Sequence, residues 1–267
     1  MKKKQKEKCE IDKLEALVNS LEKLPPRENG KKDEKIAKKL QEILELFLRN
    51  YYVEFGTFKI DPILVEAYYY NDEQNFKDES VHAARNEKGK IATHARERQK
   101  NNFGKLYIHN VITKNDGLDV CLSKGDYYFS ILIKNAVIND KYFATQSNVS
   151  KIICEKCQGC DEVPSCLYYQ ECVLKKREQP KDMPVIFLPR KNVPSTERLA
   201  AVSLDDIKAN MTDLSLAHGY GKQWECSVIA LSEVGNTEKA KKLADEIFGS
   251  SIEDKFFKLA KESLSKE

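Results

Sequence analysis

Apolar residues along the first fifty positions recur at helical spacing, and the pattern then changes to that of short strands. Ile11, Leu14, Leu17, Val18, Leu21 and Leu24 fall three and four apart, which predicts an amphipathic helix. Pro25-Pro26 ends it, because proline has no amide hydrogen and its ring clashes with the preceding turn. A charged linker containing Gly30 leads to a second predicted helix over 33–49, with Ile36, Leu40, Ile43, Leu44 and Phe47 on one face. Strands are predicted over 58–60, 63–70, 105–112, 118–122 and 127–137, with Ser123-Lys124-Gly125-Asp126 as the hairpin turn between the last two. The polar stretch 71–102 is too long for a plain connection within a compact domain and points to function. A strand over 184–188 follows, then helices over 196–210, 237–248 and 251–265, with 214–221 as a helix end running into a Gly-rich turn. The expected fold is α+β, a mixed or antiparallel sheet flanked by helices, with helical N- and C-terminal segments. Residues 1–32 read as a basic helical appendage and 33–267 as the main domain, interrupted by a cysteine-rich insertion at 151–177.

The predicted strand 63–70 carries the chain's most informative residue. Seven of the eight residues in Ile63-Leu64-Val65-Glu66-Ala67-Tyr68-Tyr69-Tyr70 are apolar or aromatic, and Glu66 sits among them. Simple alternation would turn Glu66 to solvent. A buried carboxylate must instead be paired or used, and desolvation moves it toward the range of a general base. Lys134 poses the same question within 127–137, where its long stem can snorkel the ammonium to water.

Composition narrows the classes. Of 267 residues, 41% are hydrophobic and 33% charged, which describes a globular chain with a heavily charged surface. No run of eighteen apolar residues exists to form a membrane span. Met1-Lys2-Lys3-Lys4-Gln5-Lys6 is charged rather than apolar, so the expected compartment is the cytoplasm. The net charge of +3 is too small to argue for a nucleic-acid partner alone.

Cys154, Cys157, Cys160, Cys166 and Cys172 place five thiols in nineteen residues. In a cytoplasmic protein such a cluster reads as metal ligation rather than disulfides. Zinc would take four thiolates in a tetrahedron, such as Cys154/Cys157 with Cys166/Cys172. The dense two-residue spacings also suit a [4Fe–4S] cluster. Either choice leaves one cysteine spare, and in the iron–sulfur case Cys154 and Cys172 compete for the fourth place. The loop would present Lys151, Lys156 and Lys175-Lys176-Arg177 to phosphates. Cys9, Cys121 and Cys226 stand apart, and Cys121 reads as core.

Six segments occur in an order that resembles one family. They are Val65-Glu66-Ala67-Tyr68, Val81-His82-Ala83-Ala84-Arg85, Thr93-His94-Ala95-Arg96-Glu97-Arg98, Phe103-Gly104-Lys105-Leu106-Tyr107-Ile108-His109, Gly117-Leu118-Asp119-Val120 and Leu132-Ile133-Lys134-Asn135-Ala136. Together they resemble the alkyladenine (3-methyladenine) DNA glycosylase family across roughly 55–137, about a third of the chain. Phe187-Leu188-Pro189-Arg190 resembles a later Pro-Arg segment of that family. The resemblance implies a fold related to a formyltransferase C-terminal domain. It also implies a monomeric, monofunctional enzyme that flips an alkylated or deaminated purine out of duplex DNA and hydrolyses its bond to the sugar.

In that scheme Glu66 activates the water that attacks C1′, and Tyr68, His82, Tyr107 and His109 offer faces to the extruded base. Asp119 and Lys134 belong to the same base pocket, Ile112 wedges into the vacated stack, and Arg96 and Arg98 hold the backbone. The Cys157-x2-Cys160-x5-Cys166 portion resembles the end of the cluster loop in endonuclease III-type glycosylases, which inclines the metal toward iron–sulfur. The chain departs from its family where Asp119 replaces Asn, Lys134 replaces Arg and His109 replaces a Tyr, changes that bear on base specificity. The alternative is a non-catalytic metal-containing nucleic-acid-binding protein, and a third is a redox or metal sensor built on the cysteine loop. Glu66→Gln is expected to leave stability equal or slightly higher, an amide being cheaper than a carboxylate in an apolar strand.

Overall fold

The structure, a computed structural model, describes residues 13–26, 34–77, 81, 102–109, 117–143, 146–155, 168–169, 173–182, 185–189 and 199–203. They form an α+β fold in which an antiparallel sheet carries helices on one face. Helix α1 covers 13–22 and is followed by α2 (Glu34–Asn50), β1 (Tyr51–Phe55), β2 (Phe58–Asn71) and the short β3 (Phe76–Lys77). Next come β4 (Leu106–His109), β5 (Gly117–Cys121), β6 (Tyr128–Ile138), β7 (Lys141–Phe143) and α3 (Gln146–Glu155). The short strands β8 (Tyr168–Tyr169), β9 (Val173–Lys176), β10 (Val185–Pro189) and β11 (Leu199–Ser203) complete it. The strand order is β10-β11-β2-β6-β5-β4-β8, with β1, β3, β7 and β9 paired off this path.

The long central strands are held in register by turns that the sequence encodes. Gly56 takes φ 54° in the hairpin from β1 to β2, a conformation glycine adopts without a Cβ penalty. Asn139 and Asp140 take φ 46° and 64° between β6 and β7, the pair of left-handed residues that a type I′ turn requires. The Asn139 side chain then links both turns: its Oδ1 accepts from the Lys59 amide at 2.8 Å and its Nδ2 donates to the Thr57 carbonyl at 3.1 Å.

One face of the sheet is the core. Val65, Ala67 and Tyr69 of β2, Phe129, Ile131 and Ile133 of β6, and Leu118 and Val120 of β5 are buried against the helices. Leu14, Val18 and Leu21 of α1 and the buried stripe of α2 belong to the same cluster, as do Val149 and Ile153 of α3. Gln74 fixes the end of α1, where helix carbonyls lack partners. Its Nε2 donates to the carbonyls of Leu21, Glu22 and Leu24 at 2.7, 2.9 and 3.0 Å, while its Oε1 accepts from the Tyr69 hydroxyl at 2.6 Å.

Several sequence expectations change. The strands expected at 58–60 and 63–70 are one strand, β2, with a pairing irregularity between Pro62 and Val65. Proline has no amide to give the ladder, so the break is local and the strand continues. The helix expected at 196–210 is contradicted by β11, which pairs with β10 and β2. The Leu-Ala-Ala run favours helix by propensity, and the open edge of β2 overrides it. Cys154 falls in α3, which the sequence reading missed although Val149, Ile152 and Ile153 keep helical spacing. The described part of β4 ends at His109, and 214–221, 237–248 and 251–265 lie outside the described residues. Among the described residues no helix is long and apolar enough to cross a membrane.

Candidate active site

The second face of the sheet gathers the polar chemistry. Because strand side chains alternate, registered partners lie on one face. Tyr107 of β4 registers with Asp119 of β5, Asp119 with Leu132 of β6, Leu132 with Glu66 of β2, and Glu66 with Ala200 of β11. The next row runs from Tyr68 through Ser130 to Cys121. Around these rows a small cluster of Val81, Tyr107 and Cys121 is buried, with Tyr68, Tyr70 and Tyr128 packed against it. Among the described residues the face therefore presents two carboxyls, one ammonium and four tyrosines over strands whose other side is solid core.

Glu66 is 0% exposed, so alternation to solvent is overturned. Lys134 is 5% exposed and does not snorkel: its Nζ lies 3.4 Å from Glu66 Oε2. The Tyr68 hydroxyl donates to the same oxygen at 3.0 Å. An ammonium at that distance favours the ionised carboxylate, and the phenol fixes its orientation. The expectation that Glu66→Gln is neutral or stabilising is also corrected by this geometry. Gln would leave the Lys134 ammonium buried without its counter-charge, and breaking a buried pair from one side costs roughly 3–5 kcal/mol.

Asp119 behaves in the opposite way. Burial pushes its carboxyl up to about 8, the Glu66 charge adds to the rise, and the Ser130 hydroxyl lowers it by a lesser amount. The Ser130 hydroxyl stands beside Asp119 without full hydrogen-bond geometry. The face thus holds the Glu66–Lys134 pair beside an Asp119 whose carboxyl is pushed up to about 8. Two carboxyls whose environments drive them apart are the usual signature of an acid and a base with different tasks.

The predicted site residues divide clearly. Glu66, Tyr68, Tyr107, Asp119 and Lys134 come from four strands and lie on one face. His109 closes β4 opposite Gly117. His82, Arg96, Arg98 and Ile112 lie outside the described residues, as do Cys157, Cys160, Cys166 and Cys172, while Cys154 is placed only by its position in α3. Among the described residues no group of three or more His, Cys, Asp or Glu side chains is placed to hold a metal ion. Sequence reasoning missed Ser130, Tyr70 and Tyr128. Ser130 could have been found from its period of two with Leu132 and Lys134, once Glu66 fixed which face mattered.

Compared with protein-family models and with curated proteins, the chain matches none.

Proposed function

We propose that the chain is a monofunctional DNA glycosylase that removes alkylated or deaminated purines from duplex DNA by base flipping and water attack at C1′. The observation that carries this reading is Glu66: fully buried, paired with Lys134, bonded by Tyr68, and set among tyrosines on the non-core face of the sheet. A protein that only binds has no use for a desolvated carboxylate set against a buried ammonium, whereas hydrolysis needs both a proton acceptor for water and a negative charge near the developing sugar cation. Tyr68 and Tyr107 supply faces on which an extruded base can stack, each worth ~1–3 kcal/mol. His82 and His109 add to that pocket and Ile112 wedges into the stack, by the resemblance. The antiparallel sheet is then the formyltransferase C-terminal-like fold of the resembled family, in a cytoplasmic monomer.

Arg96 and Arg98 hold the DNA backbone in this reading, so replacing both with Ala should lower the salt slope of duplex binding by ~0.9 for each phosphate no longer engaged. An unchanged slope would put the interface elsewhere. The cysteines Cys154, Cys157, Cys160, Cys166 and Cys172 supply four thiolates for a [4Fe–4S] cluster. Anaerobic purification should give iron and sulfide with broad visible absorption. Colourless protein with zinc would mean a structural zinc site instead, and metal-free folded protein would remove both.

The deciding experiment is single-turnover excision on a panel of damaged duplexes. Glu66→Gln should lose at least ~100-fold in rate while abasic-duplex binding survives. Since Gln removes the Glu66 counter-charge of Lys134, the Glu66→Gln/Lys134→Met double variant serves as the folded control. Absence of excision by the unmodified chain on every lesion, with duplex binding intact, would favour the non-catalytic metal-containing nucleic-acid-binding protein.

A further inference from the structure

The far end of the β2–β6 pair divides its aromatic residues between two faces. Tyr68, Tyr69 and Tyr70 alternate along β2, and Tyr128 and Phe129 do the same at the start of β6. The core-side rings behave as core: Tyr69, Tyr127 and Phe129 are at most 1% exposed and meet edge to face. Tyr68, Tyr70 and Tyr128 on the other face are only half-buried, packed on Val81, Tyr107 and Cys121. The outward face of an antiparallel sheet is ordinarily polar, so a contiguous group of large, partly exposed rings there marks an interaction surface.

Tyr70 registers with Tyr128, and their ring centroids lie 6.2 Å apart at an interplanar angle of 49°. The Tyr70 hydroxyl donates to Asp72 Oδ1 at 2.9 Å, which fixes the direction of the ring. Asp72 is exposed, and a carboxylate at that edge repels a phosphate, so the ledge suits the face of a base and not the nucleic-acid backbone. Tyr68 joins the ledge to the Glu66 site, because its hydroxyl bonds Glu66 and its ring belongs to the same cluster. Tyr70 follows Tyr68 by two residues, about 7 Å along the strand. Stacked nucleotides of one DNA strand advance only about 3.4 Å. Rings at the wider spacing can each receive a base only where neighbouring nucleotides are unstacked, as on sheets that hold single strands through aromatic side chains.

We propose, on the footing of the glycosylase reading, that Tyr70 and Tyr128 form a second base subsite, which stacks the nucleotide beside the extruded one when that neighbour is itself unpaired. The Glu66–Tyr68 end takes the damaged base, and the Tyr70–Tyr128 end takes its neighbour on the same strand. No bond is made or broken at the second subsite; it adds binding and selects the substrate. A lesion in a single strand, or beside a mismatched pair in a duplex, therefore engages both ends of the face, whereas the same lesion in fully paired DNA engages one. A mismatched neighbour costs least to unpair, and each stacked base strengthens binding by about tenfold or more.

The test measures binding to oligonucleotides that carry one abasic site: a single strand, a fully paired duplex, and a duplex mismatched at the adjacent position. The unmodified chain should bind the mismatched duplex about tenfold more tightly than the paired one. Tyr70→Leu/Tyr128→Leu keeps apolar side chains but removes the ring faces. It should weaken binding of the single strand and the mismatched duplex by about tenfold or more, and of the paired duplex by less than about threefold. Tyr70→Phe/Tyr128→Phe keeps the rings and should keep the preference. A check that needs no variant, and serves if the Leu variant folds poorly, places 5-iodouracil beside the abasic site in the mismatched duplex. On irradiation the crosslink should map to Tyr70 or Tyr128. Equal affinity for paired and mismatched duplexes, similar losses on all three DNAs, no loss on any, or a crosslink confined to other residues overturns the subsite and leaves the glycosylase reading to the excision assay. No binding of any of the three DNAs by the unmodified chain overturns both.

Discussion

The Glu66–Lys134 pair provides a test of the site that does not depend on any substrate. At 3.4 Å, with the effective dielectric of about 20 that suits protein interiors, the attraction between the two charges is about 5 kcal/mol. Removing either partner alone forfeits that attraction and leaves the other charge buried, a loss of roughly 3–5 kcal/mol. Lys134→Met keeps the length and flexibility of the side chain without its charge. The orphaned Glu66 can escape part of the penalty by taking up a proton, so the loss in Lys134→Met should grow as pH rises from 5 to 8. Glu66→Gln strands the ammonium instead. In Glu66→Gln/Lys134→Met both charges are gone, and stability should return to within about 1–2 kcal/mol of the parent, far above the sum of the single losses. Urea unfolding of the four proteins at pH 7 measures the cycle, urea being chosen because it adds no screening ions. Strict additivity of the two losses would refute the buried pair and with it the picture of an ionised Glu66.

Asp119→Asn should stabilise the chain in a pH-dependent way. The folded carboxyl is raised from its usual 3.8 to about 8, so its burden is absent below pH 4, grows between 4 and 8, and is constant above. At pH 7 the ceiling is about 4 kcal/mol, reduced by roughly 1–3 for burying the amide donors. Thermal unfolding should show a gain at pH 8 and none at pH 4.5, and a gain independent of pH would contradict the raised carboxyl as its cause. Tyr68→Phe removes the donor to Glu66 Oε2 and should cost roughly 1.5–3 kcal/mol, measured by the same unfolding, while a loss below about 0.5 would mean the phenol does not orient the carboxylate. Gln74→Leu strips three carbonyls at the end of α1 of their donor and should raise amide exchange throughout 13–22, whereas unchanged protection would show that the apolar stripe alone holds the helix.

What can be read from the sequence, and what cannot, follows the range of the interactions involved. The helical stripe of α2 is local and legible, as are β5 and β6 to within a residue or so at each end, because period and turn chemistry act over a few positions. β11 reads wrongly as helix because Leu-Ala-Ala-Val carries a helical preference, and only the neighbouring edge of β2, more than a hundred residues away, makes it a strand.

Glu66 can be singled out from its own strand, yet its state cannot. Whether a carboxylate in an apolar run faces water, pairs, or takes a proton depends on the residue two strands over and on the side chain placed diagonally across the ladder. Lys134 and Asp119 are at those positions. Register converts three scattered letters into one electrostatic unit: Leu132 fixes the spacing, Lys134 pairs with Glu66, and the Glu66 charge adds to the rise that burial gives Asp119. Asp119, which by sequence reads as an acceptor without a donor, has its carboxyl pushed up to about 8 once burial and the neighbouring charge are known. The same letter on a solvated strand would carry no such rise.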